Sequence, residues 1–271
     1  MPDGVAAPTE ATATPGVAAS YAGFCALCGW HGVFSATDKR EGIDHKFPCD
    51  GCGYFLRFRD EAQVLIDEFG DGRQLTLDEL VETSRFRSLA VYHVGSTGPI
   101  RRRLRENPNY CESKFDPTQP PGADLGNGFT NQDLQGLSYD DESFDLVFSS
   151  HVMEHIPDPW RAFEEIHRVL RPGGVMIHSI PTRFTFPGKS QPRATLENGT
   201  VIHHMEEQYH NSPEGEPVLV FTLFGADLPI RLEAMGFAAS MRRPHLQVEL
   251  ARRNMLIVGR RLGIEPDVIS V

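Results

Sequence analysis

The chain has 271 residues, 40% of them hydrophobic, which is enough to bury a full core without disulfide staples. No run of about 18 apolar residues occurs, so a membrane-spanning helix is not expected. Its 26 basic side chains face 37 acidic ones, a formal net charge of −11, the wrong sign for gripping nucleic acid by phosphate neutralisation.

Met1 to Ser20 is rich in Ala, Thr and Pro and lacks the basic and apolar stretches of a secretory leader, so it is expected to be a flexible tail. Four of the five cysteines then come in two pairs, Cys25-Ala-Leu-Cys28 and Cys49-Asp-Gly-Cys52. Gly29 and Gly53 follow the pairs, where a positive φ is easily adopted. Two such knuckles complete a tetrahedral shell with no open position, so Cys25, Cys28, Cys49 and Cys52 are expected to hold a structural Zn²⁺ in a ribbon over residues 21–60. Disulfides, redox pairs and an iron–sulfur centre are the rival uses of four thiols. The missing leader and the lack of a strand-CxxC-helix context weigh against the first two. His31 and His45 are surplus to a complete shell. Tyr54 to Arg59 reads as a strand running into a helix over Glu61 to Phe69, within a connector at 61–88. Arg57 and Arg59 fit the polar face of that strand better than an anion site.

From Leu89 the pattern changes. Leu89 to Val94 is a short apolar run that ends at Gly95-Ser96-Thr97-Gly98, ahead of an arginine-rich helical stretch at Ile100 to Glu106. A buried strand, a glycine turn and a helix let backbone approach a ligand at the carboxyl edge of a sheet. Phe144 to Ser150 is a second buried strand, and His151 to Pro159 forms a polar turn. Trp160 to Leu170 is amphipathic, Arg171-Pro172-Gly173-Gly174 supplies helix breakers, and Val175 to Ile180 is a further strand. Strand, helix and strand in this order predict a parallel crossover.

The run SFDLVFSSHVMEHIPDPWRAFEEIHRVLRPGGVMIHSIP resembles the fourth-to-fifth-strand region of the Rossmann-like, class I S-adenosylmethionine-dependent methyltransferases. The resemblance extends over about Leu89 to Gly259. It implies an α/β fold with a seven-stranded, mostly parallel sheet whose last pair is antiparallel, and S-adenosylmethionine as cofactor. It further implies that Gly95, Ser96 and Gly98 pass beneath the methionyl and ribose portions. Ser96 and Thr97 stand where the family often has glycine and a small residue, and His93 stands where an acid is usual. Glu112 matches the acid that accepts from both ribose hydroxyls, Asp133 and Leu134 the adenine contacts, and Ser149 and Ser150 the wall where the methyl group is presented. A surface carboxylate at 112 and a turn residue at 133 are the plain alternatives.

Methyl transfer from a sulfonium needs alignment and, for a hydroxyl acceptor, a base. His151, directly after the fourth strand, is the candidate; Glu154 and His155 lie on the same turn, with His155 reading more as scaffold. Thr182 to Val220 is a polar insertion at the carboxyl edge, expected to form a lid. Its His204 or His210 is expected to face substrate, and His203, His204, His210, Glu206 and Glu207 could hold a metal. Cys111 reads as a small buried residue. The expected domain order is a tail at 1–20, the ribbon at 21–60, the connector at 61–88, the catalytic domain at 89–262 and a tail at 263–271. The expected partner is a small-molecule acceptor methylated on oxygen or nitrogen, in the cytoplasm, with no nucleic acid or membrane, and a homo-oligomer left open. The rival readings are an RNA or protein methyltransferase using the ribbon for recognition, and a non-catalytic cofactor-binding protein.

Overall fold

The computed structural model describes residues 17–37, 47–95, 98–181, 187–211, 215–243 and 254–263. β1 (Val17–Phe24) and β2 (His31–Thr37) pair antiparallel, so the first strand starts inside the segment expected to be tail. Residues 1–16 and 264–271, and His45, lie outside the described residues.

Helix α1 (Leu56–Phe69) begins five residues before Glu61, and no strand forms over Tyr54 to Arg59. The alternating Phe and Arg side chains are overruled by a helical stripe: Leu56, Arg59, Ala62, Leu65, Ile66 and Phe69 are all buried, at spacings of three and four. Arg59 joins that stripe because its guanidinium lies 3.7 Å over the Phe34 ring and donates to the Phe47 carbonyl at 2.6 Å. α2 (Leu77–Val81) starts on a reciprocal capping box between Thr76 and Glu79, and α3 (Ser84–Arg87) on a Thr83 cap.

The central sheet is built from β3 (Val91–Val94), β4 (Tyr110–Lys114), β5 (Phe129–Asn131), β6 (Phe144–Ser150) and β7 (Leu170–Pro181). α4 (Pro99–Leu104) follows β3, and α5 (Pro159–Val169) joins β6 to β7. β7 starts directly at the end of α5. The Arg171–Gly174 breakers form a bulge between the Leu170 and Val175 pairings rather than a separate turn.

After β7 the described residues of the insertion form paired strands. β8 (Gln191–Pro192) pairs with β13 (Thr222–Leu223), β9 (Ala194–Glu197) with β10 (Thr200–His203), and β11 (Tyr209–Asn211) with β12 (Pro217–Leu219). Asn198 and Gly199, both at positive φ, make the tight β9–β10 turn. α6 (Leu228–Glu233), β14 (Phe237–Arg242) and β15 (Asn254–Arg261) complete the chain.

The seven strands run β14-β15-β7-β6-β3-β4-β5, with β15 antiparallel to both its neighbours. Side chains alternate across the sheet. Val91, Leu146, Phe148, Val175, Ile177 and Leu256 share one buried cluster with α1 to α4 and with Tyr21, Phe34 and Phe47 of the ribbon. Tyr92, Val147, Met176 and Ile257 share another with α5 and α6. The ribbon therefore shares its core with one face of the sheet. Among the described residues no helix is long and apolar enough to cross a membrane.

Candidate active site

At the ends of β3 and β4 a buried hydrogen-bond chain runs from His93 to Arg101. Glu112 is 2% exposed and accepts a forked pair of bonds from Arg101, at 2.6 and 2.5 Å, and one from the Tyr110 hydroxyl at 2.6 Å. Since the Tyr110 proton goes to Glu112, His93 Nδ1, 2.7 Å from the same hydroxyl, is the donor there. Burial pushes the His93 imidazole down to about 4, so it is neutral. Burial alone would raise Glu112. The Arg101 fork and the Tyr110 bond outweigh it and hold the carboxylate below its usual range.

Gly95 donates its N–H to Ser113 at 2.9 Å, and Gly98 adopts φ 106° with the Phe58 ring of α1 3.2 Å from where a Cβ would stand. Ser96 lies outside the described residues. Across β5, Asp133 turns back on its own loop, accepting from Gln135 N at 2.9 Å, and Leu134 is buried. The sequence points to the carboxylate at 112; its arginine partner is not in the motif.

Ser149 and Ser150 point to opposite faces. Ser149 Oγ stands 2.5 Å from His178 Nδ1 on the α5 side. On the α1 side, Ser150 and Ser179 hydroxyls stand 2.6 and 2.7 Å from Glu61 Oε1, while Glu61 Oε2 has no hydrogen-bond partner among the described residues. Burial holds Glu61 above the usual carboxyl range, against Arg57 and the two serines. Glu61 is a functional candidate that the sequence alone does not single out.

His151, at φ 53°, follows Ser150 and lies close enough to Glu154 for their charges to interact. A 3-10 turn, Met153–His155, sets Glu154 and His155 against the strands of the insertion. His155 Nδ1 donates to the Leu219 carbonyl at 2.8 Å, and Phe221 N to the Glu154 carbonyl at 2.8 Å. The β11–β12 hairpin thus brings His210 Nδ1 to 3.6 Å from Glu154 Oε1, the same distance as His155 Nε2. His204 is not in this group: it sits on the exposed side of the β9–β10 hairpin, 3.0 Å from Thr195 Oγ1, and His203 faces Glu207 at 3.5 Å. His210 therefore keeps company with Glu154 and His155 rather than with His203, His204, Glu206 and Glu207.

In the ribbon the two knuckles repeat one pattern. Gly29 N bonds Cys25 O at 2.9 Å and Gly53 N bonds Cys49 O at 2.7 Å, with both glycines at positive φ. Cys25 and Cys52 sulfurs are 3.9 Å apart and Cys28 and Cys49 sulfurs 3.7 Å, too long for disulfides. Four thiolates about 2.3 Å from a tetrahedral ion stand about 3.8 Å from one another, so the donor set fits zinc. Arg59, read from sequence between a strand face and an anion site, is sealed beneath this module.

Residues 111–178, from β4 to β7, match the family described as methyltransferase domain. A 59-residue stretch is 42% identical to an uncharacterized methyltransferase of Mycobacterium sp. (strain KMS), covering 22% of this chain and 23% of that protein. A probable methyltransferase of Aspergillus luteorubrus is 32% identical over 117 residues, 42% of this chain and 38% of its own length. A probable S-adenosylmethionine-dependent methyltransferase of Mycolicibacterium smegmatis is 41% identical over 73 residues, 27% of each chain. A solved methyltransferase of Mesorhizobium loti aligns over 64% of this chain and 91% of its own at 20% identity, with a TM-score of 0.42. The chain spans about a quarter to two-fifths of the length of these three curated relatives. It carries a class I S-adenosylmethionine-dependent methyltransferase domain. Glu112, Asp133, Ser149, Ser150, His151 and Glu154 fall inside the matched residues; the glycine turn and the lid fall outside them.

Proposed function

We propose that this chain methylates an oxygen or nitrogen of a small molecule, such as a sugar or natural-product-like acceptor, and that its four cysteines hold a structural zinc ion. The observation that carries the reading is Glu112, a buried carboxylate at the centre of β4 inside the family match, one strand from a glycine turn. When bound, S-adenosylmethionine supplies an electrophilic methyl on a sulfonium. Glu112 offers two acceptor oxygens to the ribose hydroxyls. Gly95 and Gly98 allow close backbone approach, and Leu134 with Asp133 forms the wall for the adenine. His151, just past Ser150, takes the acceptor's proton as the acceptor atom bonds to the methyl carbon and the carbon–sulfur bond breaks. The lid hairpins close over that edge and carry His210.

One observation favours a second reading. Arg101 occupies both oxygens of Glu112, which suits a site repurposed away from the cofactor. Calorimetric titration of S-adenosylmethionine and S-adenosylhomocysteine separates the two. Methyl transfer predicts micromolar binding, about −8 kcal/mol, weakened at least about tenfold by Glu112→Gln. A folded chain that takes up neither ligand sinks the assignment.

A further inference from the structure

Glu154 is 2% exposed, and neither of its carboxylate oxygens has a hydrogen-bond partner among the described residues. A buried carboxylate without a partner costs several kcal/mol unless a cation lies beside it. What faces it is a pair of imidazoles, each 3.6 Å away. His155 gives its Nδ1 proton to the Leu219 carbonyl, a group that only accepts, so a neutral His155 turns the lone pair of Nε2 toward Glu154. His210 Nδ1 comes from the other side; its Nε2 accepts from the Gln208 amide nitrogen at 3.1 Å, so Nδ1 is the protonated atom in this arrangement, and a flip of that amide, which puts its oxygen on Nε2–H, frees Nδ1 to bind. The three donor atoms lie within 4.8 Å of one another. Two ligands each about 2.1 Å from a tetrahedral ion stand about 3.4 Å apart, close to the 3.6 Å separations here.

We propose that Glu154, His155 and His210 form a second metal site, for a divalent transition ion such as zinc, iron(II) or cobalt(II), separate from the four-cysteine site. Two imidazoles and one carboxylate suit such ions; magnesium and calcium prefer all-oxygen shells. His155 is held from behind by Leu219 O in the manner of a ligand-orienting partner, and the Gln208 amide oxygen takes that role for His210 once the amide is flipped. Three protein ligands leave a position open for water or an acceptor oxygen. His210 rides on the lid and Glu154 on the turn after β6, so the ion would tie the lid to the sheet. Use of the open position by an acceptor rests on the methyl-transfer reading; binding of the ion does not.

The test is Co²⁺ titration into full-length chain already carrying one zinc per chain, followed by calorimetry and visible absorption. The expected result is one further equivalent, with weak visible bands and no intense sulfur-to-cobalt transition. His210→Ala, on the half-exposed hairpin, and His155→Gln should each weaken uptake by at least about 100-fold while far-UV dichroism stays unchanged. No further equivalent, or an equivalent that survives both substitutions, overturns the site. S-adenosylmethionine titration of the same samples keeps the two readings apart. Cofactor binding without Co²⁺ uptake overturns the metal site alone, and Co²⁺ uptake without cofactor binding overturns only the methyl-transfer reading.

Discussion

On the face of the sheet that carries α1, Ser150 and Ser179 turn their hydroxyls to Glu61; on the opposite face, one residue earlier in each strand, Ser149 meets His178. Both Glu61 and His178 are sealed from water, and the seal acts on them with opposite sign. It raises the glutamate above the carboxyl range and pushes the histidine down to about 3. The common result is that burial favours the uncharged form of each. The faces also differ in what closes them. The α1 face shares its core with the ribbon, whereas the α5–α6 face is closed by α5 and α6 without it.

Metal removal should break that comparison most strongly. With zinc on the four cysteines as proposed, stripping it with a chelator, or Cys25→Ser, should remove much of the roughly 10 kcal/mol that structural zinc supplies in finger peptides. Amide exchange read residue by residue should accelerate in α1 and α2 and far less in α5. Uniform acceleration would show that the two faces open as one unit. Glu61→Ala, which leaves two buried hydroxyls without their acceptor, should cost about 2–3 kcal/mol in urea unfolding. Glu61→Gln keeps an acceptor oxygen and should stay within about 1 kcal/mol.

The pH dependence of stability sharpens the same contrast. Glu61 binds its proton more tightly when folded. Its contribution is full below the ordinary glutamate range and is lost as pH rises through its higher folded value, at a slope of up to about 1.4 kcal/mol per pH unit. His178, and His93 at about 4, behave in reverse: their contribution is present above the ordinary histidine value and drains as pH falls toward 4 and 3. Unfolding curves across pH should therefore flatten on the alkaline side in Glu61→Gln and on the acid side in His178→Gln. Unchanged profiles would mean that neither group is sealed. The smallest expected effect is Thr76→Ala, about 1 kcal/mol from the α2 cap, again confined to the α1 face and readable in the same exchange experiment.

What was legible in the sequence was what local spacing encodes. The CxxC pairs announce their own knuckles, and the apolar runs at Val91, Phe144 and Val175 announce buried parallel strands. Glu61 was not legible because its partners, Ser150 and Ser179, are 89 and 118 residues away. The same holds for Glu154 and His155, which await a histidine from a distant hairpin. Arg59 misled the reading because charge normally marks an exposed face, and here aromatic rings and a carbonyl take it inside. The hairpins of the insertion did carry a signal. Asn198-Gly199 between Thr195-Leu196 and Val201-Ile202 is a tight-turn pair of the kind that joins two short strands.

Phe58 packs against Gly98, and Arg103 of α4 reaches back to Asp78 at 2.7 Å. The linear order of ribbon, connector and catalytic domain suggests parts that could be exchanged singly. In space they could not be. A chain begun at residue 89 would bare Leu146, Phe148, Val175 and Ile177 along one side of the sheet and leave the glycine turn without its aromatic backing. Ribbon and turn are one inheritable unit, and a substitution that shifts a knuckle has a short route, through α1 and Phe58, to the backbone at Gly98.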